Sequence, residues 1–228
     1  FLPLFLTQML GALNDNVLRG SIIIFISFKL ADTPEYASFW TNIATALFML
    51  PTLMFSIISG ELADKYRKVY LLRGTKFAEI LIALLTSYLF LSEQTSPPLL
   101  MGCVFLMGLH AAVFSPAKFS YIPEYLENDE ILPANGLIES STFMAIAVGS
   151  GLSALIANQH HGITIFVSLL LPLAIIGWLT SLMIPSNEAQ NPDLKVRKNI
   201  LLSTQQQIDR CSENPRIWLP IIGISWFW

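Results

Sequence analysis

Five ionisable side chains, Asp15, Arg19, Glu79, Lys118 and Glu139, stand inside long apolar stretches of this chain. A charge near the centre of a bilayer-spanning helix costs about 2.5–3.5 kcal/mol on insertion scales, so each needs a partner or a wet cavity. Asp15 and Arg19 are four residues apart and share a helix face, with Asn16 beside them. Two readings follow. They pair with each other as a self-contained unit, or they line a cavity and exchange that pairing for a zwitterion, ammonium to Asp15 and phosphate to Arg19. Lys118 and Glu139 fall a turn inside the ends of consecutive apolar stretches, where a salt bridge between helices is available as a static tie or as a gate. Glu79 follows Arg73 and Lys76 at steps of three, which reads as one stripe. His110 has no second His or Cys near it in sequence, so it is expected as a buried, hydrogen-bonded imidazole with no metal. His160 and His161 read as solvated residues of a turn.

The elements that must hold these groups follow from composition. Hydrophobic residues make up 54% of the 228 and charged residues 13%, and the mean hydropathy is +0.59. A soluble domain carries about 25% charged residues, so the chain reads as an all-α integral membrane protein with no room for a soluble enzyme domain. A net charge of −3 gives no overall basic surface and weighs against nucleic acid as a partner. Cys103 and Cys211 offer neither a disulfide framework nor a CxxC metal site.

Apolar runs bounded by polar residues, Gly or Pro predict helices at 2–29, 38–60, 71–92, 98–121, 134–157 and 162–184, with a seventh starting near Arg216. Residues 1–184 then form a six-helix bundle, 185–215 a polar linker, and 216–228 the start of the seventh helix. Short connectors at 30–37, 93–97 and 158–161 alternate with longer polar ones at 61–70, 122–133 and 185–215. Lys65, Arg67, Lys68, Arg73 and Lys76 crowd the segment 61–76; Lys195, Arg197, Lys198, Arg210 and Arg216 crowd 185–216, against Lys29 alone on the opposite side. Basic loops stay in the cytoplasm, so the N-terminus, 61–70 and 185–215 are expected there. The opening Phe1-Leu2-Pro3 has no basic region before a long apolar run and reads as a true span whose initiating Met is trimmed. The close at Trp226-Phe227-Trp228 falls inside an apolar run, as in a fragment. Six helices, a linker and a seventh helix match one half of a 6+6 transporter with a site between two bundles.

The stretch Gly60-Glu61-Leu62-Ala63-Asp64-Lys65-Tyr66-Arg67-Lys68 resembles the major facilitator superfamily signature between the second and third helices, although the usual second glycine is absent. Gly60 is expected to permit close helix approach or a tight exit. Asp64 is expected to accept from a neighbouring helix N-terminus, and Lys65 and Arg67 to hold the loop at the anionic inner leaflet. Phe114-Ser115-Pro116-Ala117-Lys118, Ala134-Asn135-Gly136-Leu137-Ile138-Glu139 and Asn14-Asp15-Asn16 are similar to the lysophospholipid transporter family, as is Gly223-Ile224-Ser225-Trp226-Phe227-Trp228. That resemblance implies the N-terminal half of a twelve-helix fold in the bacterial inner membrane. It also implies lysophosphatidylethanolamine or lysophosphatidylglycerol as cargo, flipped by alternating access for reacylation. An acyltransferase or acyl-ACP ligase in cis or trans is the implied partner, alongside membrane lipid. The headgroup would follow Asp15, Asn16, Arg19 and Lys118, while Gly60, Asp64, Lys65, Arg67 and Glu139 would serve gating or structure. In that superfamily the fourth helix borders the central cavity, which favours a Lys118–Glu139 gate. The third is peripheral, which favours a local ion pair for Glu79.

No phosphate-binding Gly-x-x-x-x-Gly-Lys-Ser/Thr string and no Gly-x-Ser-x-Gly occurs. None of His110, His160 and His161 has an Asp five positions later, as the acyltransferase motif requires. The chain is therefore expected to be a transporter module with no cofactor and no catalytic residue. A facilitator of a drug or small metabolite, and a non-transporting anchor of a fused acyltransferase, are the rival readings. Pro116 is expected to kink the fourth helix. Small residues such as Gly149, Ser150, Ser153 and Ala154 give the fifth helix a face for close packing.

Overall fold

The computed structural model describes residues 1–92, 95–157, 159–186, 188–194 and 200–227. Lys195, Arg197, Lys198 and Trp228, used above to orient and end the chain, lie outside them. The described residues form helices and turns with no strand. They are α1 (Leu2–Phe25), continued by a π turn at Ile26–Leu30, then α2 (Pro34–Lys65), α3 (Lys68–Leu91), α4 (Pro97–Tyr125), α5 (Asn128–Ala157), α6 (Gly162–Leu182), α7 (Ile200–Ser212) and α8 (Pro215–Phe227). Six of these, α1 to α6, are long and apolar enough to cross a membrane.

Local chemistry sets their starts. Thr33 caps α2 by accepting from the Tyr36 N–H at 3.2 Å, and Pro34 follows as the first helical residue. Pro97 opens α4 in the same way. Asp129 and Glu130 fill the first turn of α5, where acidic groups suit the helix dipole.

The boundaries differ from the expected ones in a consistent direction. The connectors expected at 61–70 and 122–133 are mostly helical: α2 runs on to Lys65, α4 to Tyr125, and α5 begins at Asn128. Apolarity marks where a helix meets lipid rather than where it ends, and Glu, Ala and Lys are good helix formers in water. Gly60, Asp64 and Lys65 therefore sit within α2, and only Tyr66 and Arg67 separate it from α3. The 185–215 stretch contains α7, which its polarity had hidden, and α7 rests against α2. Helix α4 continues through Pro116 and Pro123.

Helix α1 packs on α5 and α6, α3 on α4 and α6, and α2 on α4. Close approach of α1 and α5 depends on small residues: a Cβ at Gly149 would stand 2.8 Å from the Asn16 Cβ, and Ser153 Oγ donates to the Val17 carbonyl at 3.3 Å. The apolar core divides into two clusters. One holds Val17, Leu18, Ile22, Ile82, Ala83, Val104, Met107 and Leu170; the other holds Leu4, Val69, Leu72, Phe114, Tyr121, Ile122 and Ile138. Along α1, α3 and α4 the polar residues between these clusters include Gln8, Asn14, Asp15, Lys76, Glu79 and His110. A polar layer thus separates two apolar ones.

Candidate functional site

Beside that layer lies a cavity of about 370 Å³, a volume suited to a small ligand or headgroup. Helix α1 lines it with Gln8, Gly11, Ala12, Asp15, Asn16 and Arg19. Their spacing keeps them on one side of a helix with 3.6 residues per turn. Phe48 and Met49 come from α2, Lys76 from α3, His110 and Lys118 from α4, and Thr142 from α5.

Asp15 and Arg19 both face this space, but the expected i, i+4 pair is not formed. Arg19 Nη2 donates to Asn16 Oδ1 at 3.0 Å, and its guanidinium lies 5.1 Å from the Phe48 ring centroid. Asn16 in turn donates to the Ala12 carbonyl. The Asp15 Oδ1 atom is buried with no hydrogen-bond partner among the described residues. Arg19 has a closer acceptor in Asn16 and an aromatic face in Phe48, and these hold the guanidinium away from the carboxylate.

Lys118, 6% exposed, also departs from expectation. Among the described residues it makes no ion pair with Glu139. Its ammonium donates to Gln8 Oε1 at 3.2 Å and sits 4.3 Å from the Phe119 ring centroid. Gln8 Nε2 donates onward to Thr142 Oγ1 at 2.7 Å. One amide therefore joins α1, α4 and α5, and it intercepts the lysine before Glu139 can.

The third helix supplies what the sequence reading placed at the periphery. The Lys76–Glu79 pair forms, with Nζ 2.5 Å from Oε2, but it is fully interior: Lys76 is 1% and Glu79 2% exposed. Asn14 Nδ2 donates to Glu79 Oε1 at 2.9 Å, and His110 Nε2 approaches Oε2 to 3.4 Å. A buried ion pair is tolerable when further hydrogen bonds satisfy its remaining atoms, and Asn14 provides one. Gly11 makes room for it, since a Cβ there would overlap the Lys76 ammonium. Arg73 belongs to a different group. Steps of three on a 3.6-residue helix fall short of a turn, so two such steps turn Arg73 and Glu79 to different neighbours. Arg73 donates instead to the carbonyls of Ser181, Leu182 and Ile184 at the end of α6.

His110 is buried, but neither ring nitrogen has a hydrogen-bond partner among the described residues. Ligand-type atoms of Asp15, Glu79 and His110 come within 4.8 Å of one another. The sequence did not join them because they lie on three helices. The Lys76 ammonium already stands in that group as its cation, and so we do not read the group as a metal centre.

A family profile described as Major Facilitator Superfamily matches residues 4–228. The chain belongs to the major facilitator superfamily. It is similar to the protein named lysophospholipid transporter LplT of Cronobacter sakazakii (strain ATCC BAA-894), 26% identical over 227 residues, which cover 97% of this chain and 52% of that protein. The same name is carried by relatives in Serratia proteamaculans (strain 568), 26% identical over 97% of this chain and 52% of the relative, and in Salmonella heidelberg (strain SL476), 26% identical over 100% and 53%. The chain spans about half the length of these relatives.

In this facilitator half-bundle the loop-signature residues lie apart from the cavity. Gly60 has open space where a Cβ would point, so it makes no close helix contact. The Asp64 carbonyl accepts from the Asn191 N–H at 2.9 Å, a backbone tie to the segment after α6. Lys65 lies against the Tyr66 ring and Arg67 against the Tyr70 ring. Cys103 and Cys211 are both free. Gln8 is a site-forming residue that sequence reasoning does not single out, whereas Asn14, Lys76, Glu79 and His110 are noted there without being assigned to the site. For Gln8 the signal was present, because it continues the Asp15 stripe by two turns.

Proposed function

We propose that the full-length protein is a flippase that moves lysophospholipids across the bacterial inner membrane by alternating access, and that this chain is its N-terminal half. The observation that carries this reading is the cavity in the polar layer. It presents Asp15, with a carboxylate oxygen unpartnered, alongside the cations Arg19 and Lys118. Such a set complements a zwitterionic head: the ammonium goes to Asp15, and the phosphate to Arg19 and Lys118, with Asn16 orienting Arg19. The acyl tail stays among the apolar side chains and lipid outside. The names of the relatives supply the cargo class, of which lysophosphatidylethanolamine is one member. Reacylation falls to an acyltransferase or acyl-ACP ligase in cis or trans.

The N-terminus and the α2–α3 and α4–α5 turns face the cytoplasm in this reading, with Lys65 and Arg67 on the anionic leaflet. Gly60, Asp64 and Glu139 belong to the moving cytoplasmic end, where rocking of the bundle exchanges Lys118 between Gln8 and Glu139.

The test is uptake of labelled lysophosphatidylethanolamine into proteoliposomes carrying the full-length protein. Wild type internalises the lipid, and Asp15→Asn and Lys118→Gln do so poorly while eluting as folded protein. Unchanged uptake by Asp15→Asn overturns the assignment of the site. No flux by wild type, together with loss of acyltransferase from the membrane on deletion, favours an anchor instead.

A further inference from the structure

The charges around Glu79 are unevenly satisfied. Glu79 has Lys76 on one oxygen and Asn14 on the other. Asp15, the next residue of α1, has no hydrogen-bond partner for Oδ1, and the Asn14 Oδ1, on a side chain with 0% exposure, likewise has none among the described residues; His110 Nε2 stands 3.4 Å from Glu79 Oε2. The facing titratable and charged groups are Asp15 and Arg19 from α1, Lys76 and Glu79 from α3, His110 and Lys118 from α4, and Glu139 from α5 beyond Lys118; α2 contributes Phe48 and Met49. Arg19 is engaged by Asn16 and Lys118 by Gln8, so neither touches Asp15.

An ionised carboxylate with one oxygen buried and uncontacted is expensive, and it is relieved by a cation against it or a proton on it. A metal ion is disfavoured because both Glu79 oxygens are already committed, one to the Lys76 ammonium and one to Asn14 Nδ2, and are not free to ligate it. A proton needs no ligand shell. It has a neighbouring acceptor as well, since the ligand-type atoms of Asp15 and His110 lie within 4.8 Å.

We propose that Asp15, backed by His110 and Glu79, is a proton-exchange site at which a proton and the cargo's headgroup ammonium compete. The inference rests on the headgroup reading of Asp15 given above and adds a discrimination to it. An ethanolamine-headed lysolipid loads by taking the Asp15 carboxylate: the O–H bond of the carboxyl breaks, its proton leaves for the water of the cavity, and the ammonium takes its place. A glycerol-headed lysolipid carries no ammonium and loads without that exchange. His110 is a positioning residue that sets how readily Asp15 gives up the proton.

Calorimetry of the full-length protein in two buffers of different ionisation heat, titrated with lysophosphatidylethanolamine or lysophosphatidylglycerol, reads both binding and protons. The expected result is release of up to about one proton per ethanolamine lipid bound and none for the glycerol lipid. On acidification the ethanolamine lipid weakens by up to about tenfold per pH unit while the glycerol lipid holds. His110→Gln moves the pH at which release occurs, a shift that a purely packing role would not produce. Asp15→Asn abolishes release. Ethanolamine-lipid binding with equal heats in the two buffers and no pH dependence overturns the proton exchange alone. Failure of that lipid to bind wild type, or equal binding by Asp15→Asn, overturns the headgroup reading and the exchange with it.

Discussion

Arg73 and Arg19 are half-buried arginines on neighbouring membrane helices, and they are treated in opposite ways. At the α2–α3 end, Arg73 gives its donors to three carbonyls at the C-terminus of α6, where the helix dipole also favours a cation. Around it Lys68 pairs with Glu124, and the Tyr121 hydroxyl donates to the Pro185 carbonyl at 2.9 Å. In the polar layer Arg19 donates to Asn16 and lies by the Phe48 ring, and Asp15 keeps an oxygen with no hydrogen-bond partner among the described residues. One end spends its charges on holding helices together. The other withholds bonding capacity, which is the condition for receiving a ligand, since a fully bonded group would have to break protein contacts first.

Exchanging the fates of these two regions tests the contrast. The largest effect is expected at Asp15: Asp15→Asn in the full-length protein removes a charge-assisted contact of about 1.5–3 kcal/mol, or about 10–100-fold in uptake of lysophosphatidylethanolamine, with the melting temperature nearly unchanged. Arg73→Ala should do the reverse. It loses about 1.5–3 kcal/mol of stability in thermal unfolding while uptake per folded molecule stays at the wild-type level. If Arg73→Ala instead abolished uptake in folded protein, the division of labour would be wrong. Gln8→Leu should fall between them, loosening Lys118 and Thr142 together. We expect about 1–3 kcal/mol from the stranded Lys118, with both melting temperature and uptake reduced. Gly11→Ala should displace the Lys76 ammonium and alter lipid affinity more than stability, as read by binding titration and melting on the same sample. Ser153→Ala, which removes one bond between α1 and α5, is the smallest at about 0.6 kcal/mol, near the average for membrane hydrogen bonds.

The Asp15–Arg19 stripe could be read from spacing because both residues lie on one helix, where the repeat alone decides which side chains share a face. The separation of Arg73 from Glu79 could have been read in the same way, but steps of three look like a stripe until their angular drift is followed. The expected Lys118–Glu139 ion pair is not among those of the described residues for another reason. Two chain segments ending near each other leave many partners in reach, and Gln8, more than a hundred residues earlier, is the one that meets the lysine. The polar tails of α2 and α4 resemble loops in the sequence because apolarity reports lipid rather than helix.

Composition, the lengths of the apolar runs and a few strings of residues were enough to determine an all-helical membrane protein of this superfamily and to mark Asp15, Arg19, Glu79, Lys118 and Glu139 as its unusual charges. These properties are sums over the chain or patterns within one helix, so they need no knowledge of which helix meets which. Only the packed bundle decided that Asn14, Lys76, Glu79 and His110 meet between two apolar clusters, and that Asp15 is left with an unpartnered oxygen. Pairing in a low-dielectric interior is settled by distances of a few ångströms between helices far apart in sequence, and those distances arise when α1, α3 and α4 close on one another.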